Sequence, residues 1–491
     1  MTAIAEEKTT SKQERPPGLS GSNVSGTGVS GAEVAGTAAS GARDSGARDS
    51  GARDSGARDS GARDSGAAAG VPVSGIADLT DGRGYLRTAG YRRSPGDIPL
   101  TAAQVRQYGL RPGDQIHGTV TPGTAANDTT ANDTTANDTA ANGKAADGKT
   151  ANGKSANGSA NGKSANGKSA NGTATRATGA RKNQAARTLV SVETVNGLPL
   201  DAARGRPRFD DLTPVYPSQR LRLEDGDPSP AARIIDLVSP IGKGQRGLIV
   251  APPKAGKTTV LKTIAHAVAE AHPEVHLMLV LVGERPEEVT DLRRSVRGEV
   301  ISSTFDQSPA DHILAAELAI QRAKRLAELG RDVVVMLDSL TRLGRAYNLA
   351  APANGRTLSG GVAASALEPP RRFLGAARCL EEGGSLTILS TVLVDTGSQL
   401  DSVLFEEFKG TGNMELRLRR DLAEKRIFPA IDPVPSGTRR EELLMDPAEH
   451  AAVVSLRRAL AALDSQHAME LLLEKTAGPN ETLLRQISAS R

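Results

Sequence analysis

Two carboxylates and one short loop have the residue types and spacing to act on a phosphate ester. Leu248-Ile-Val-Ala-Pro-Pro-Lys-Ala-Gly-Lys-Thr-Thr259 carries an apolar run into a tight turn and then into a helix-forming segment. N–H groups at such a helix start, with the helix dipole behind them, favour phosphate oxygens. Lys254, Ala255, Gly256, Lys257, Thr258 and Thr259 are the candidate contacts. Lys257 would neutralise the β- and γ-phosphates of a nucleoside triphosphate, and the Thr258 hydroxyl would ligate Mg2+. The general pattern opens with Gly, where this chain has Ala251. Pro252 and Pro253 donate no N–H, so the cradle relies on later amides. Asp338 follows Val333-Val-Val-Met-Leu337, the place for an acid that holds Mg2+ through water. Glu284 follows another apolar run. It is either a base that polarises an attacking water or a surface acid paired with Arg285, and the residues alone leave both open.

These groups need a scaffold that brings them to one edge. Leu248–Ala251, Val275–Val282, Val333–Leu337 and Leu386–Val394 are apolar runs of strand length. Helix-like segments lie between them, such as Asp311–Leu329, with Ile313, Leu314, Leu318 and Ala319 at helical spacing. That alternation predicts an α/β core, a mainly parallel sheet covered on both faces. The C-terminal ends of its strands converge on one edge. Upstream, residues 71–120 alternate short apolar runs with turn signals, predicting a small β-barrel with a short helix around Ala102–Tyr108. Thr188–Val195 alternates again as a strand should.

The polar tract 121–185 then reads as a disordered insertion inside the barrel. Its basic second half is either an electrostatic hold on nucleic acid or a solvated loop. Residues 1–70 include five tandem Gly-Ala-Arg-Asp-Ser copies from Gly41, with nothing to bury against their ordering entropy. They are expected to be disordered, an inert spacer or a weak RNA tether. The expected organisation is therefore 1–70 low-complexity, 71–224 barrel interrupted by 121–185, and 225–491 core with C-terminal helices.

Composition limits the alternatives. A single Cys379 excludes an internal disulfide framework and reads as a buried structural thiol rather than a nucleophile. No stretch approaches the apolar length of a membrane span, so a soluble cytoplasmic protein with no membrane partner is expected. A net charge of +4 permits a polyanionic partner without demanding one. His266, His272 and His276 straddle a helix end, with no acid or thiol to complete a metal site. Leu456–Leu473 reads as one helical segment, packing at the sheet's edge or between subunits.

Several motifs, taken in order, resemble the Rho family of transcription termination factors. They are Ser239–Thr258 with its double proline, Glu284-Arg-Pro-Glu-Glu-Val289, Asp338-Ser-Leu-Thr-Arg342 with Arg345-Ala-Tyr-Asn348, Phe408-Lys-Gly-Thr-Gly-Asn-Met414, Glu424–Ile431 and Ser436-Gly-Thr-Arg439. The resemblance runs through 232–480, with weaker traces in 71–120 and 186–224. It implies a RecA-like ATPase core behind a cold-shock or OB-like barrel. It further implies an RNA-dependent ATPase and helicase using ATP and Mg2+, a homohexameric ring that moves 5′-to-3′ along single-stranded RNA and releases it from RNA polymerase.

Site roles follow from the same resemblance. Glu284 becomes the catalytic base and Arg285 a phosphate contact. Phe428 would stack on adenine, and Arg439 would be an arginine finger from the adjacent subunit. Two loops would face the ring's hole and hold RNA: Ala353–Gly361, with Arg356 at the family's usual Lys position, and Lys409-Gly410-Thr411-Gly412. In the barrel, Tyr85 and Arg87 of Asp81-Gly-Arg-Gly-Tyr-Leu-Arg87 would contact RNA. Arg83 and Pro99 stand where the family usually has aromatics. Stacking gives about 1–3 kcal/mol per base, so their loss should weaken or redirect binding. The helical segment that precedes the family's barrel has no counterpart, and the repeats stand in its place. Two other classes compete: a rotary or secretion-type ATPase moving a protein substrate, and a non-catalytic RNA-binding scaffold.

Overall fold

The computed structural model describes residues 70–79, 83–122, 187–352 and 355–489. The repeat region before Gly70, all of the insertion beyond Pro122, Asp81, Gly82, Ala353 and Asn354 lie outside the described residues.

Six antiparallel strands come first: β1 (Val71–Asp78), β2 (Gly84–Arg87), β3 (Ile98–Leu100), β4 (Gln115–Val120), β5 (Leu189–Val195) and β6 (Leu198–Pro199). Their order is β3-β2-β1-β4-β5-β6, and β3 also lies against β5, drawing the two ends of the sheet together. Inward residues such as Ala77, Leu86, Ile98, Ile116 and Val195 are fully buried. Helix α1 (Ala102–Tyr108) occupies the stretch read as helical. Thr101 and Gln104 close a capping box at its start, and Gly109 ends it in the left-handed conformation. The Gln104 amide also donates to the Leu189 carbonyl at 2.8 Å, tying the helix to β5. Val120 pairs with Leu189, and the Thr121 N–H donates to Thr188 at 3.0 Å. The long polar tract therefore leaves and rejoins the sheet at one rung, so it interrupts the barrel without breaking its ladder.

The core sheet holds β7 (Arg246–Ala251), β8 (His276–Glu284), β9 (Glu299–Thr304), β10 (Asp332–Asp338), β11 (Ser385–Leu393), β12 (Met414–Arg417) and β13 (Gly437–Thr438). The order is β9-β8-β10-β11-β7-β12-β13, parallel along this path except for β13, and off it Arg378–Leu380 pairs antiparallel with β11 and with Pro214–Val215. Along β8, Leu277, Leu279 and Leu281 join one hydrophobic cluster while Met278, Val280 and Val282 join another. This two-residue alternation between two buried faces is why the strands read as unbroken apolar runs. The helices include α2 (Lys257–Ala271), α3 (Pro286–Ser295), α4 (Pro309–Ala327), α5 (Leu340–Ala350) and α6 (Gln399–Lys409). The Ser308 side chain caps α4, and Pro309 sits where its missing N–H costs nothing.

Barrel and core meet through α4. A Cβ on Gly113, which has φ +83, would lie 2.3 Å from the Gln321 carbonyl carbon, so only glycine permits this approach. The Tyr91 hydroxyl donates to Glu299 at 2.6 Å, and burial beside that carboxylate pushes the phenol well above its usual range. Near the C-terminus, the single segment expected over Leu456–Leu473 is two helices, Pro447–Ala461 and Ser465–Lys475. Asp464 accepts from the N–H groups of Gln466 and His467 and so starts a new helix.

Candidate nucleotide and nucleic-acid sites

The nucleotide loop leaves the end of β7 and enters α2. Lys254 and Gly256 adopt left-handed φ of 67° and 88°, which turns the loop back on itself. Pro253, Lys254 and Thr259 are exposed, while Ala255 is buried and serves as packing. Lys257, the first residue of α2, points its ammonium between two carboxylates. Nζ lies 2.8 Å from Glu284 Oε1 and 2.5 Å from Asp338 Oδ1.

Both acids are almost fully buried. Glu284 owes its direction to a bulge at Gly283, where the β8–β9 register shifts. Gly283 has φ +67, and a Cβ there would lie 3.2 Å from Arg342 Cδ. Arg342 donates to the Gly283 carbonyl and places Nη1 2.8 Å from Glu284 Oε1. Glu284 is thus no surface partner of Arg285. The largely exposed Arg285 instead lies 3.5 Å from Glu288 on α3. Arg342 had no role assigned from sequence. The signal was its place in the first turn of the helix after Asp338.

Asp338 Oδ1 also accepts from the Thr391 hydroxyl at 2.6 Å, whereas its Oδ2 is buried with no hydrogen-bond partner. An orphaned buried carboxylate oxygen is costly, and it is the donor type a hard divalent cation takes, directly or through water. Thr258 stands beside Lys257, its hydroxyl 3.5 Å from Glu288 Oε2. The pair Thr258 and Asp338 therefore fits Mg2+.

Phe428 is half exposed, and its ring edge lies 3.8 Å from where a Cβ on Gly256 would be. An apolar face thus stands over the nucleotide loop. Arg439 is exposed and lies elsewhere. Its N–H donates to Asn413 at 2.8 Å, just after the rung that pairs Thr438 with Met414. Met414 is level with Gly247, near the start of β7, while the loop leaves from Ala251. At roughly 3.3 Å per residue the two lie about 13 Å apart along the sheet. Arg439 is therefore at the opposite edge from the Lys257 of its own chain.

The two loops expected to face a common hole are separated. Arg356 is exposed before the hairpin Thr357–Leu358 with Val362–Ala363. A Cβ on Gly360 in that hairpin would lie 3.1 Å from the Gln399 carbonyl. The neighbour of the Arg356 hairpin is thus Asp395–Gln399, at the C-terminal end of β11, with left-handed Asp395 and Gly397. Lys409 is at the other end of α6, about 16 Å away for an eleven-residue helix.

Lys409 and Gly410 are exposed, but Gly412 is buried where a Cβ would lie 3.3 Å from Leu248, and the Thr411 carbonyl accepts from Arg246 Nε at 3.0 Å. That segment borders Arg439 rather than Arg356. The signal missed was an Asp-Thr-Gly-Ser turn directly after an apolar strand, at the edge where ligands bind such sheets.

In the barrel, Asp78, Arg83, Tyr85, Arg87, Arg93 and Asp97 line a cleft of about 800 Å³. Arg87 is buried, with Nε 2.9 Å from Asp78 and Nη1 2.6 Å from Asp97, and its guanidinium lies 4.9 Å from the Tyr85 ring centroid. Burial alone would lower its pKa, but bonds to Asp97 and Asp78 hold it above the usual value. Its charge is committed to these acids, so it props Tyr85 rather than reaching outward. The outward cations are Arg83 and Arg93, both exposed. Arg93 was not singled out from sequence. Cys379 is half-buried, and burial raises its thiol pKa, which keeps it unreactive. Among the described residues no helix is long and apolar enough to cross a membrane.

Residues 231–438 match the nucleotide-binding domain of the ATP synthase alpha/beta family, and 73–134 match the Rho termination factor RNA-binding domain. Proteins named transcription termination factor Rho align over most of the chain. The Streptomyces lividans protein is 53% identical over 82% of this chain and 50% of its own length. The Micrococcus luteus protein is 52% identical over 82% and 52%. The chain thus spans about half the length of these two relatives. The Streptosporangium roseum protein is 50% identical over 84% of this chain and 92% of its own. A solved structure titled "Structural and biochemical analysis of a prototypical ATPase from the type III secretion system of pathogenic bacteria" aligns over 57% of this chain and 82% of that one, at 24% identity and a TM-score of 0.45.

Proposed function

The chain belongs to the Rho family of transcription termination factors, and from that premise we propose that it is an RNA-dependent ATPase whose nucleotide is clasped between neighbouring copies in a homohexamer. Residues 71–224 would bind RNA and 225–491 would form the motor, moving 5′-to-3′ on nascent RNA in the cytoplasm and releasing it from RNA polymerase. The observation that carries this reading is the Lys257 ammonium held between Glu284 and Asp338, with Arg439 at the sheet's opposite edge.

The chemistry follows from these groups. Lys254–Thr259 would wrap the phosphates of ATP, and Phe428 would stack on adenine. Arriving phosphate oxygens draw the Lys257 ammonium away from Glu284, and Arg342 keeps that carboxylate aimed. Glu284 then orients a water and takes its proton as the water oxygen bonds to the γ-phosphorus. The bond to the bridging oxygen breaks, and ADP leaves with the electron pair. Thr258 and Asp338 would hold Mg2+, which, when bound, neutralises charge on the β- and γ-phosphate oxygens. Arg439 of the adjacent copy would steady the charge on the transferring group, and Arg285 would contact phosphate.

Tyr85, Arg83 and Arg93 would take the RNA at the barrel, and Arg356 would hold it in the ring, beside Asp395–Gln399. Lys409, Gly410, Thr411 and Gly412 would hold RNA as well, from the side that borders Arg439. The test is ATP hydrolysis by the purified chain with and without single-stranded RNA. Stimulation of tenfold or more is expected. Equal turnover in both would return the chain to the protein-moving class of ATPases.

A further inference from the structure

A second cationic cleft lies away from both sites, at the junction of barrel and core. It has a volume of about 610 Å³ and is lined by α1 on one side and α4 on the other. Six cations face it, Arg106, Arg111, Arg204, Arg208, Lys324 and Arg325, against only Asp210 and Glu328. Surface clusters of this kind normally interleave acids, so the imbalance needs an explanation.

The buried end of the cleft supplies a second observation. Glu328 is shared: it lies 2.7 Å from Arg325, 3.1 Å from Arg111 and 3.7 Å from Arg206, and it also accepts from the Phe209 N–H at 2.7 Å. Arg206 has its own acid in Asp114 at 2.6 Å, and Arg111 also donates to the Pro207 and Arg206 carbonyls at 2.7 and 3.0 Å, so among the described residues Arg325 is the cation whose one carboxylate is the shared Glu328. Arg325 is only 7% exposed, and its Nε has no acceptor. At the rim, Arg106 and Arg208 are exposed, and among the described residues neither has a carboxylate within ion-pair distance. Lys324 has none either. It lies 5.3 Å from the Phe209 ring centroid, and burial lowers its pKa.

The walls are held apart by backbone packing and hydrogen bonds. Gly113 locks the barrel to the Gln321–Arg322 backbone, and Arg322 donates to Asn196 at 2.5 Å and to Gln115 at 2.7 Å. The cleft therefore cannot collapse to let its cations find acids elsewhere.

We infer that this cleft is a binding site for consecutive phosphates, with Arg106, Arg208 and Lys324 at its mouth and Arg325 at its floor. Two sources share that chemistry, the backbone of single-stranded RNA and a free polyphosphate group. The site does not depend on the proposed ATPase mechanism, because none of its residues belongs to the nucleotide loop or the barrel cleft.

The experiment uses the full chain with its nucleotide loop saturated by a non-hydrolysable ATP analogue. Sodium tripolyphosphate is titrated by calorimetry, and poly(U) affinity is measured across a salt series. Wild type, Tyr85→Ala, Arg106→Ala/Arg208→Ala and Arg106→Lys/Arg208→Lys are compared. Tripolyphosphate should bind the wild type and Tyr85→Ala equally, at least tenfold more weakly to the double alanine variant, and to the double lysine variant within a few-fold of wild type. If RNA is the source, the double alanine variant should also lower the salt slope by about 1.4, at roughly 0.7 per single-strand phosphate contact. A tripolyphosphate effect with an unchanged RNA slope assigns the site to a free polyphosphate group. An RNA effect alone assigns it to the backbone. The inference is overturned if neither ligand distinguishes the double alanine variant from wild type, or if the lysine pair binds as weakly as the alanine pair.

Discussion

The Arg439 N–H donates to the Asn413 carbonyl at 2.8 Å, and Asn413 Oδ1 in turn accepts from the Arg246 N–H at 2.8 Å. The proposed finger is thereby fastened to the first residue of β7, while Lys257 stands just past the other end of the same strand. One strand thus separates two groups that the chemistry requires on one phosphate. On the proposed reading a neighbouring copy brings them together. Arg439→Ala should leave ATP binding within a few-fold and cut turnover by about 10³-fold or more, the range known for arginine fingers. Mixing Arg439→Ala with Lys257→Ala chains should restore activity, because some seams then pair an intact loop with an intact finger. Rapid-quench turnover on mixed rings is the measurement. Two inactive variants that stay inactive in every ratio would place both groups in one chain's site.

Phe428 covers Gly256 with a half-exposed ring that has no role in the core. Removing it should cost binding and not stability. With about 1–3 kcal/mol per stacked base, Phe428→Ala should weaken ATP binding roughly 5- to 150-fold. Turnover at saturation should change little, and the unfolding midpoint should stay put. Equilibrium binding of a fluorescent ATP analogue checks this. An unchanged Kd would remove adenine from this face of the loop.

Much of this arrangement was legible in the residues. The apolar runs marked the strands because both faces of β8 and β10 are buried, and α1 occupies the stretch expected of it. The ends were less legible for a physical reason. Strand β8 continues through Gly283 to Glu284, where a bulge swings a polar side chain into the site, and polarity reads as the end of a strand. Arg87 was unreadable as a buried group because its partners, Asp78 and Asp97, lie nine and ten residues away. A charge in a half-buried strand reads as outward until its acids are seen. The distance between Lys409 and Arg356 was not legible, because a Lys-Gly motif does not say that a whole helix, α6, lies between the two loops. Asp395–Gln399 takes its position beside Arg356 from the contact of Gly360 with Gln399, which no local pattern encodes.

The barrel cleft separates a structural arginine from a binding one. Arg87→Ala removes the buried guanidinium that bridges Asp78 and Asp97 and should destabilise the barrel by about 3–5 kcal/mol, as breaking a buried ion pair does. Arg83→Ala touches no such pair. It should leave the melting curve unchanged and reduce RNA affinity, with a salt slope smaller by about 0.7. Thermal unfolding and RNA binding on both variants decide the matter. A stable Arg87→Ala chain with selectively weakened RNA binding would make Arg87 a direct contact after all.

Asp236 makes the core's stability depend on pH in an uncommon direction. Its Oδ2 accepts from the N–H groups of Leu223 and Glu224, both at 2.9 Å, but Oδ1 has no hydrogen-bond donor and lies 3.5 Å from Arg220 Nη2. Burial pushes its carboxyl from 3.8 to about 6, against the pull of Arg220 and of the two backbone donors. The folded pKa lies above the unfolded one, so between these values the folded chain binds more proton. Ionising Asp236 therefore costs stability at pH above 6, and the cost is relieved as pH falls from about 6 towards 4. A shift of about two units corresponds to roughly 3 kcal/mol. Other carboxylates work the opposite way. Glu299, though burial raises it, is held below its usual value by His276 and Tyr91, so its contribution is lost in acid. Comparison with Asp236→Asn removes those shared terms. Between pH 7.5 and 5, the wild type should gain about 1.4 kcal/mol relative to the Asn variant in denaturant unfolding, and the remainder of the roughly 3 kcal/mol only as pH falls to about 4. Parallel pH profiles for the two chains would show that Asp236 is ionised in the fold at little cost.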